Sequence, residues 1–224
     1  MASTYRNQSV AEQNSIDVAW DILMADEFNE LRECIYTDQA ELKRFRQTIV
    51  NVVLATDIFD KELNDLRKQR WKIAFAEAAE APVELTKQQD DANVKATIVI
   101  EHLIQASDVS HTMQHWHVYQ KWNERLFAEM TAAFHAGRMP KDPATFWYKG
   151  EIGFFDNYII PLAMKLKECN VFGVSSDEYL SYAKANREEW EEKGLEIVDQ
   201  FVKKYSRNTI QEEEDEEEEE DRVV

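Results

Sequence analysis

The residues best placed to do chemistry lie in Ala96–Trp122, ATIVIEHLIQASDVSHTMQHWHVYQKW. Asp108 stands near the end of an otherwise apolar helical run. A lone charge on such a face is costly unless it is paired or bound to a cation, and a carboxylate there suits a hard metal ion. The competing reading makes Asp108 the N-cap of the helix that follows, because aspartate is a good capping residue. His111 and His115 are spaced i, i+4 and share a helical face, so with Asp108 they spell DxxHxxxH, a spacing that could hold zinc. Set against this, His115 and His117 flank Trp116 in an aromatic-rich strip, where histidines commonly serve as polar surface or core-edge residues. The sequence holds no Glu-x-x-His, no glycine-rich phosphate loop, no GxSxG and no HExxH.

Aromatic residues form two further clusters, Trp116, Tyr119, Trp122 and Phe127, then Phe146, Trp147, Tyr148, Phe154, Phe155 and Tyr158. Most should be core, and a ring left on a pocket wall could stack on a purine, since every base has a π-face.

The elements that must carry these residues read as helices. Apolar positions recur at steps of three and four in Val10–Met24, and again as Leu42, Phe45, Ile49, Val52 and Val53, continuing through Ile58, Leu63, Leu66 and Trp71. Thr37 or Asp38 should cap the second of these, with Glu41 close to a capping box. The stretch with Pro82 and Glu84 to Asp91 reads as a loop, and Asn93 or Thr97 opens the next helix. After a break near Ser107 to Thr112, a helix striped by Tyr119, Trp122, Leu126 and Met130 should run to about Ala136, ended by Gly137. Trp147 to Glu168 is helical, with a kink or break expected at Pro161. Ser175 or Ser176 should cap the last helix, with Glu178 completing the box, and that helix should stop near Lys204.

With 5 Gly and 4 Pro in 224 residues, a turn-rich sandwich or barrel is disfavoured. The reading is all-α, seven or eight helices in one bundle-like domain over 1–207, followed by an acidic disordered tail over 208–224. Residues 212–221 are all acidic. Without 211–224 the net charge falls from −18 to −9, from 34 acids and 25 bases, which argues against a nucleic-acid partner. No apolar run is long enough to span a bilayer, the first ten residues carry no apolar signal stretch, and no membrane contact is expected. Cys34 and Cys169 are isolated thiols, which suits a cytoplasmic or nuclear setting.

Five segments, in order, resemble the class I 3′,5′-cyclic-nucleotide phosphodiesterase catalytic domain over about residues 5–200. YRNQSVAEQNS is similar to the family's Y-N-D-x-S-V-L-E-N-H-H. VVLATDIFD is similar to V-L-A-T-D-M, and LIQASDVS to H-x-A-D-L-S-N-P. YQKWNERLFAEM is similar to Y-x-x-W-x-x-R-x-x-x-E-F, and KGEIGFFDNYIIPL to S-Q-V-G-F-I-D-Y-I-V-H-P-L. The resemblance implies a compact all-α, HD-type bundle and two divalent cations, zinc with magnesium or manganese, that activate a water against the cyclic phosphate. It implies that Asp108 is a metal ligand, that Phe154 stacks on the base, and that Leu126 covers the base's other face. It further implies that Glu12 supports a catalytic histidine, that Thr56, Asp57 and Ile58 border the pocket, and that Tyr119, Trp122 and His111 belong to the substrate site.

Three departures accompany the resemblance. The family's H-N-x-x-H-A-x-D-V segment and later H-D would precede residue 5, so this chain carries no catalytic histidine of its own and is truncated on its N-terminal side relative to the family. The purine-reading glutamine is Glu151, which only accepts hydrogen bonds when ionised. His111 stands where the family has asparagine, and Ser15 where it has the second of two histidines. The function expected is hydrolysis of cAMP or cGMP to the 5′-monophosphate in signal transduction, through a two-metal site completed by residues absent here. The alternative is a catalytically inactive helical interaction module derived from that fold. The metals would not be retained by this chain alone, and a missing N-terminal segment or a second copy of the chain would cover its bare apolar faces.

Overall fold

The computed structural model describes residues 3–75, 85–170, 172–173 and 175–222, with backbone alone for 85–91, 176 and 206–222. Among the described residues every regular element is helical, as expected. The α-helices are α1 (Val10–Leu23), α2 (Asn29–Ile35), α3 (Gln39–Ala55), α4 (Lys61–Phe75), α5 (Leu85–Asp108), α6 (Trp116–His135), α7 (Trp147–Phe154), α8 (Ile160–Cys169) and α9 (Ser175–Arg222). Contacts cluster in two compact units, one up to Asp108 and one from Val109.

In the first unit α3 packs on α1 and α5, and α4 packs on α5. The start of α3 obeys its sequence. Asp38 accepts from the backbone N–H groups of Ala40 and Glu41, and Glu41 reaches back to the Thr37 N–H at 2.8 Å, so three otherwise orphaned groups are satisfied. The apolar pattern through Ile58 is cut where Asp57 Oδ1 accepts from the N–H of Phe59 and of Asp60, a local turn that competes with the helix. Asp57 Oδ2 also accepts from Ser9 Oγ at 2.7 Å and ties the start of α1 to this break. Arg70 on α4 meets both oxygens of buried Glu101 on α5 at 3.1 Å, and Gln105 donates to the Ala55 carbonyl at 2.9 Å. Large apolar side chains nonetheless stay open, Phe59 at 87% exposure and Ile73 at 79%, with Val18 and Ile22 on α1 and Ile100 and Ile104 on α5.

α5 corrects the sequence reading. The backbone is already helical at Leu85, so Lys87–Asp91 are not a loop, while Pro82 lies outside the described residues. Lysine, glutamine and alanine are good helix formers, and polarity alone does not break a helix.

In the second unit α9 packs on α6, α7, α8 and the 3-10 turn Ser110–Met113. Gly137, at φ +69°, ends α6 by taking up the left-handed conformation that side chains resist. The irregularity expected at Pro161 is a π-helical turn over Phe155–Ile159, immediately before α8. Proline has no N–H to give the preceding turn, so the ladder changes register there. α9 begins at Ser175 itself, and its backbone continues past the stop expected near Lys204 to Arg222. Glutamate propagates helix well, and a run of it supplies no backbone-breaking residue.

Gly194 on α9 leaves no room for a side chain. A Cβ there would lie 2.8 Å from Trp190 Cε2 and 2.9 Å from Tyr148 Cδ2, both on rings with little freedom to yield. Gly194→Ala should therefore destabilise this unit by about 1–3 kcal/mol through overpacking, despite alanine's better helix propensity, as read by urea unfolding.

Candidate functional site

Side chains of α6 and α7 join Tyr119 to Glu151 by a route their periodicity hides. The expected stripe of α6 was Tyr119, Trp122, Leu126 and Met130. The buried face is instead Tyr119, Asn123 and Phe127, while Trp122 and Leu126 flank it at 48% and 46% exposure. The shift follows from Asn123, a polar residue that is 3% exposed because its amide is hydrogen-bonded at both its oxygen and its nitrogen. Trp147 Nε1 on α7 donates to Asn123 Oδ1 at 3.1 Å, and Asn123 Nδ2 donates to the Tyr119 hydroxyl at 3.3 Å. The Tyr119 hydroxyl in turn donates to Glu151 Oε2 at 2.7 Å.

The chain of donors runs one way and ends on the glutamate. Burial, reinforced by the neighbouring Glu151 charge, pushes the Tyr119 phenol well above its ordinary range, so it stays an O–H donor. Burial also pushes the Glu151 carboxyl up, opposed by hydrogen bonds from Tyr119 and Asn123. Glu151 is half-buried, and a carboxylate has more lone pairs than these bonds take up, so it can still accept from a ligand.

The sign of the pH effect follows. The folded state holds a proton on Glu151 that the unfolded chain releases in the ordinary glutamate range. The contribution of Glu151 to stability is therefore largest at low pH, falls as pH rises into the raised folded range, and is level above it. Glu151→Gln should flatten that part of the pH dependence of urea unfolding, and an unchanged profile would show that the carboxyl carries no such shift.

Phe154 ends α7, three residues after Glu151, and stacks on Tyr158 with centroids 5.4 Å apart and planes 15° from parallel. It is half-buried, so part of its face is open. His111 sits in the 3-10 turn with its ring 6.0 Å from that of Trp122. Arg125 lies over the other ring system of this patch, 5.0 Å from the Trp122 centroid.

Most of the remaining expected residues belong to the first unit. Asp108 is the exposed last residue of α5, and the position capping the next turn is Val109 with no side-chain cap, so the capping reading is corrected. The geometric reason is that α5 continues one residue further than a cap at 108 would allow. A carboxylate at a helix C-terminus faces the negative end of the dipole, where a cation would be welcome. Glu12 is half-buried in the first turn of α1, and Thr56, Asp57 and Ile58 form the break between α3 and α4. His115 pairs with the Tyr182 hydroxyl through Nε2 at 3.1 Å.

Among the described residues no group of three or more His, Cys, Asp or Glu side chains could hold a metal ion. The i, i+4 helical face expected for His111 and His115 is absent, because the α-helix is interrupted between Asp108 and Trp116. The described residues do not by themselves fit a two-cation site. Sequence reasoning missed Asn123 and Trp147. The available signal was an asparagine one turn from Tyr119 inside an otherwise aromatic face.

Residues 1–174 match the family model described as 3'5'-cyclic nucleotide phosphodiesterase. Two curated proteins of Caenorhabditis elegans are similar. The "Probable 3',5'-cyclic phosphodiesterase pde-3" is 24% identical over 205 residues, which span 85% of this chain and 28% of that protein. The "Probable 3',5'-cyclic-AMP phosphodiesterase pde-4" is 26% identical over 130 residues, 58% of this chain and 18% of that protein. Among solved structures, the phosphodiesterase domain of the RhoPDE fusion protein from the choanoflagellate Salpingoeca rosetta shares the fold, with a TM-score of 0.63 at 20% identity. That match covers 91% of this chain and 61% of the solved one. The chain thus spans less than a third of the length of the curated relatives it matches.

Proposed function

The chain belongs to the 3'5'-cyclic nucleotide phosphodiesterase family, and we propose that it is the base-binding portion of an enzyme that hydrolyses a 3′,5′-cyclic nucleotide to the 5′-monophosphate. The observation that carries this reading is the one-way relay from Trp147 through Asn123 and Tyr119 to Glu151, with Phe154 one turn beyond. The relay holds a hydrogen-bond acceptor at a fixed place beside a partly open aromatic face, which is what reading a purine edge requires. Asp108 would be one cation ligand, and the described residues supply no complete set beside it. Bound there, the cations would supply an activated water and neutralise charge on the phosphate.

The ionised Glu151 accepts, so it favours a base that presents an amino group, adenine over guanine. The similarity to a relative named for cyclic AMP agrees with that choice. Among the described residues no helix is long and apolar enough to cross a membrane.

The test is hydrolysis of cAMP and cGMP with Mg²⁺ or Mn²⁺ and trace Zn²⁺, beside an Asp108→Asn variant. Any metal-dependent turnover should vanish in the variant while nucleotide binding persists. Turnover that is indifferent to Asp108 would contradict its assignment. A second reading, a non-catalytic interaction module, draws on the open apolar side chains of the first unit, Phe59 and Ile73 foremost. It would be favoured by a monodisperse chain that binds neither nucleotide nor metal.

A further inference from the structure

α9 starts one residue beyond the stretch that matches the family model, yet it grips each element of the base-facing wall. Asn186 is 2% exposed, and its Nδ2 donates to the carbonyls of Thr112 at 2.9 Å and Gln114 at 2.8 Å. Both amide protons are thus committed to one turn, the turn that carries His111 and leads into α6. Thr112 is buried, so its carbonyl would lose a needed donor without Asn186.

The next residue, Arg187, reaches the other wall. Its Nε donates to Asp156 Oδ1 at 2.9 Å and a terminal nitrogen to Asp156 Oδ2 at 3.3 Å, while the remaining nitrogen meets Glu191. Asp156 lies in the π-helical turn that directly follows Phe154. A π turn carries one more residue per ring than the α-helices on either side, so its register needs outside support. A two-pronged arginine contact fixes orientation as well as distance, which a single surface ion pair does not. One turn on, Trp190 is fully buried, meets Tyr119 edge-on at 5.9 Å, and donates Nε1 to the Tyr148 carbonyl at 3.1 Å. Residues 186, 187 and 190 share one face of α9.

We propose that this face of α9 is a positioning element for the base-binding wall. Asn186 fixes the turn before α6, Arg187 fixes the π turn and with it the rotation of Phe154, and Trp190 backs Tyr119. The inference rests on the base-binding reading given above. It adds residues that set nucleotide affinity from behind the wall.

The test uses Arg187→Met, which keeps the aliphatic stem, and the charge-exchanged pair Arg187→Asp with Asp156→Arg. Amide hydrogen exchange of residues 155–160 is followed without nucleotide, and affinity for cAMP is measured by titration, with Phe154→Ala as reference. Arg187→Met should speed exchange in the π turn and weaken cAMP binding about tenfold, with little change in melting temperature, and the exchanged pair should restore part of both. Unchanged exchange in Arg187→Met would overturn the proposal whatever the affinity. Faster exchange with wild-type affinity, when Phe154→Ala does bind more weakly, would overturn it too. If wild type binds no cAMP, the base-binding reading fails and takes this inference with it, while the exchange data still report whether Arg187 holds the turn.

Discussion

Trp190→Ala should destabilise the unit from Val109 onward by about 3–5 kcal/mol, the range for removing a buried tryptophan. Trp190 has no exposed surface and packs on Tyr119 and beside Gly194. Truncation opens a cavity between α6, α7 and α9 and leaves the Tyr148 carbonyl without its indole donor. The neighbours cannot close the gap by rotation, since Tyr119 is held to Glu151 and Asn123. Trp190→Phe keeps most of the volume and should cost markedly less. Urea unfolding followed by far-UV circular dichroism separates the two. Equal, small losses in both variants would mean that α9 is dispensable to the packing of this unit.

The second large effect concerns the ligand. Phe154→Ala should weaken cyclic nucleotide binding by about 1–3 kcal/mol, roughly five- to 150-fold, if its open face stacks on the base. The substitution removes little buried area, because Phe154 is only half-buried and its stacking partner Tyr158 is a neighbour on the same helical run. Stability should therefore change far less than affinity. Loss of stability in proportion to loss of affinity would make Phe154 a packing residue.

The all-α class was legible in the sequence because period and capping agree at the same places. Asp38 and Glu41 form the expected box, and Gly137 ends α6 where its left-handed conformation is needed. The limits of α5 and α9 were not legible. Polar residues such as Lys87 and Gln88 are themselves good helix formers, so loss of apolar pattern did not mean loss of helix. At the site, Tyr119, Glu151 and Phe154 could be named from motif order, but the bond between the first two joins residues 32 apart in the chain, on α6 and α7. Periodicity placed Trp122 and Leu126 on the buried stripe because it counted Asn123 as polar. The relay reverses that, since an asparagine hydrogen-bonded at both its oxygen and its nitrogen is at home in a core. Arg187 and Asp156 lie 31 residues apart, and no local pattern announces their contact.

The most direct test of Glu151 as the fixed acceptor is the ratio of cAMP to cGMP affinity of this chain, titrated against pH in wild type and in Glu151→Gln. Protonation converts the carboxyl from pure acceptor to donor and acceptor, so acidification should let guanine compete. The account predicts that wild type prefers cAMP, that the preference grows as pH rises through the raised range of Glu151, and that Glu151→Gln shows a smaller, pH-independent ratio. A wild-type ratio that is flat with pH and matched by Glu151→Gln would contradict it.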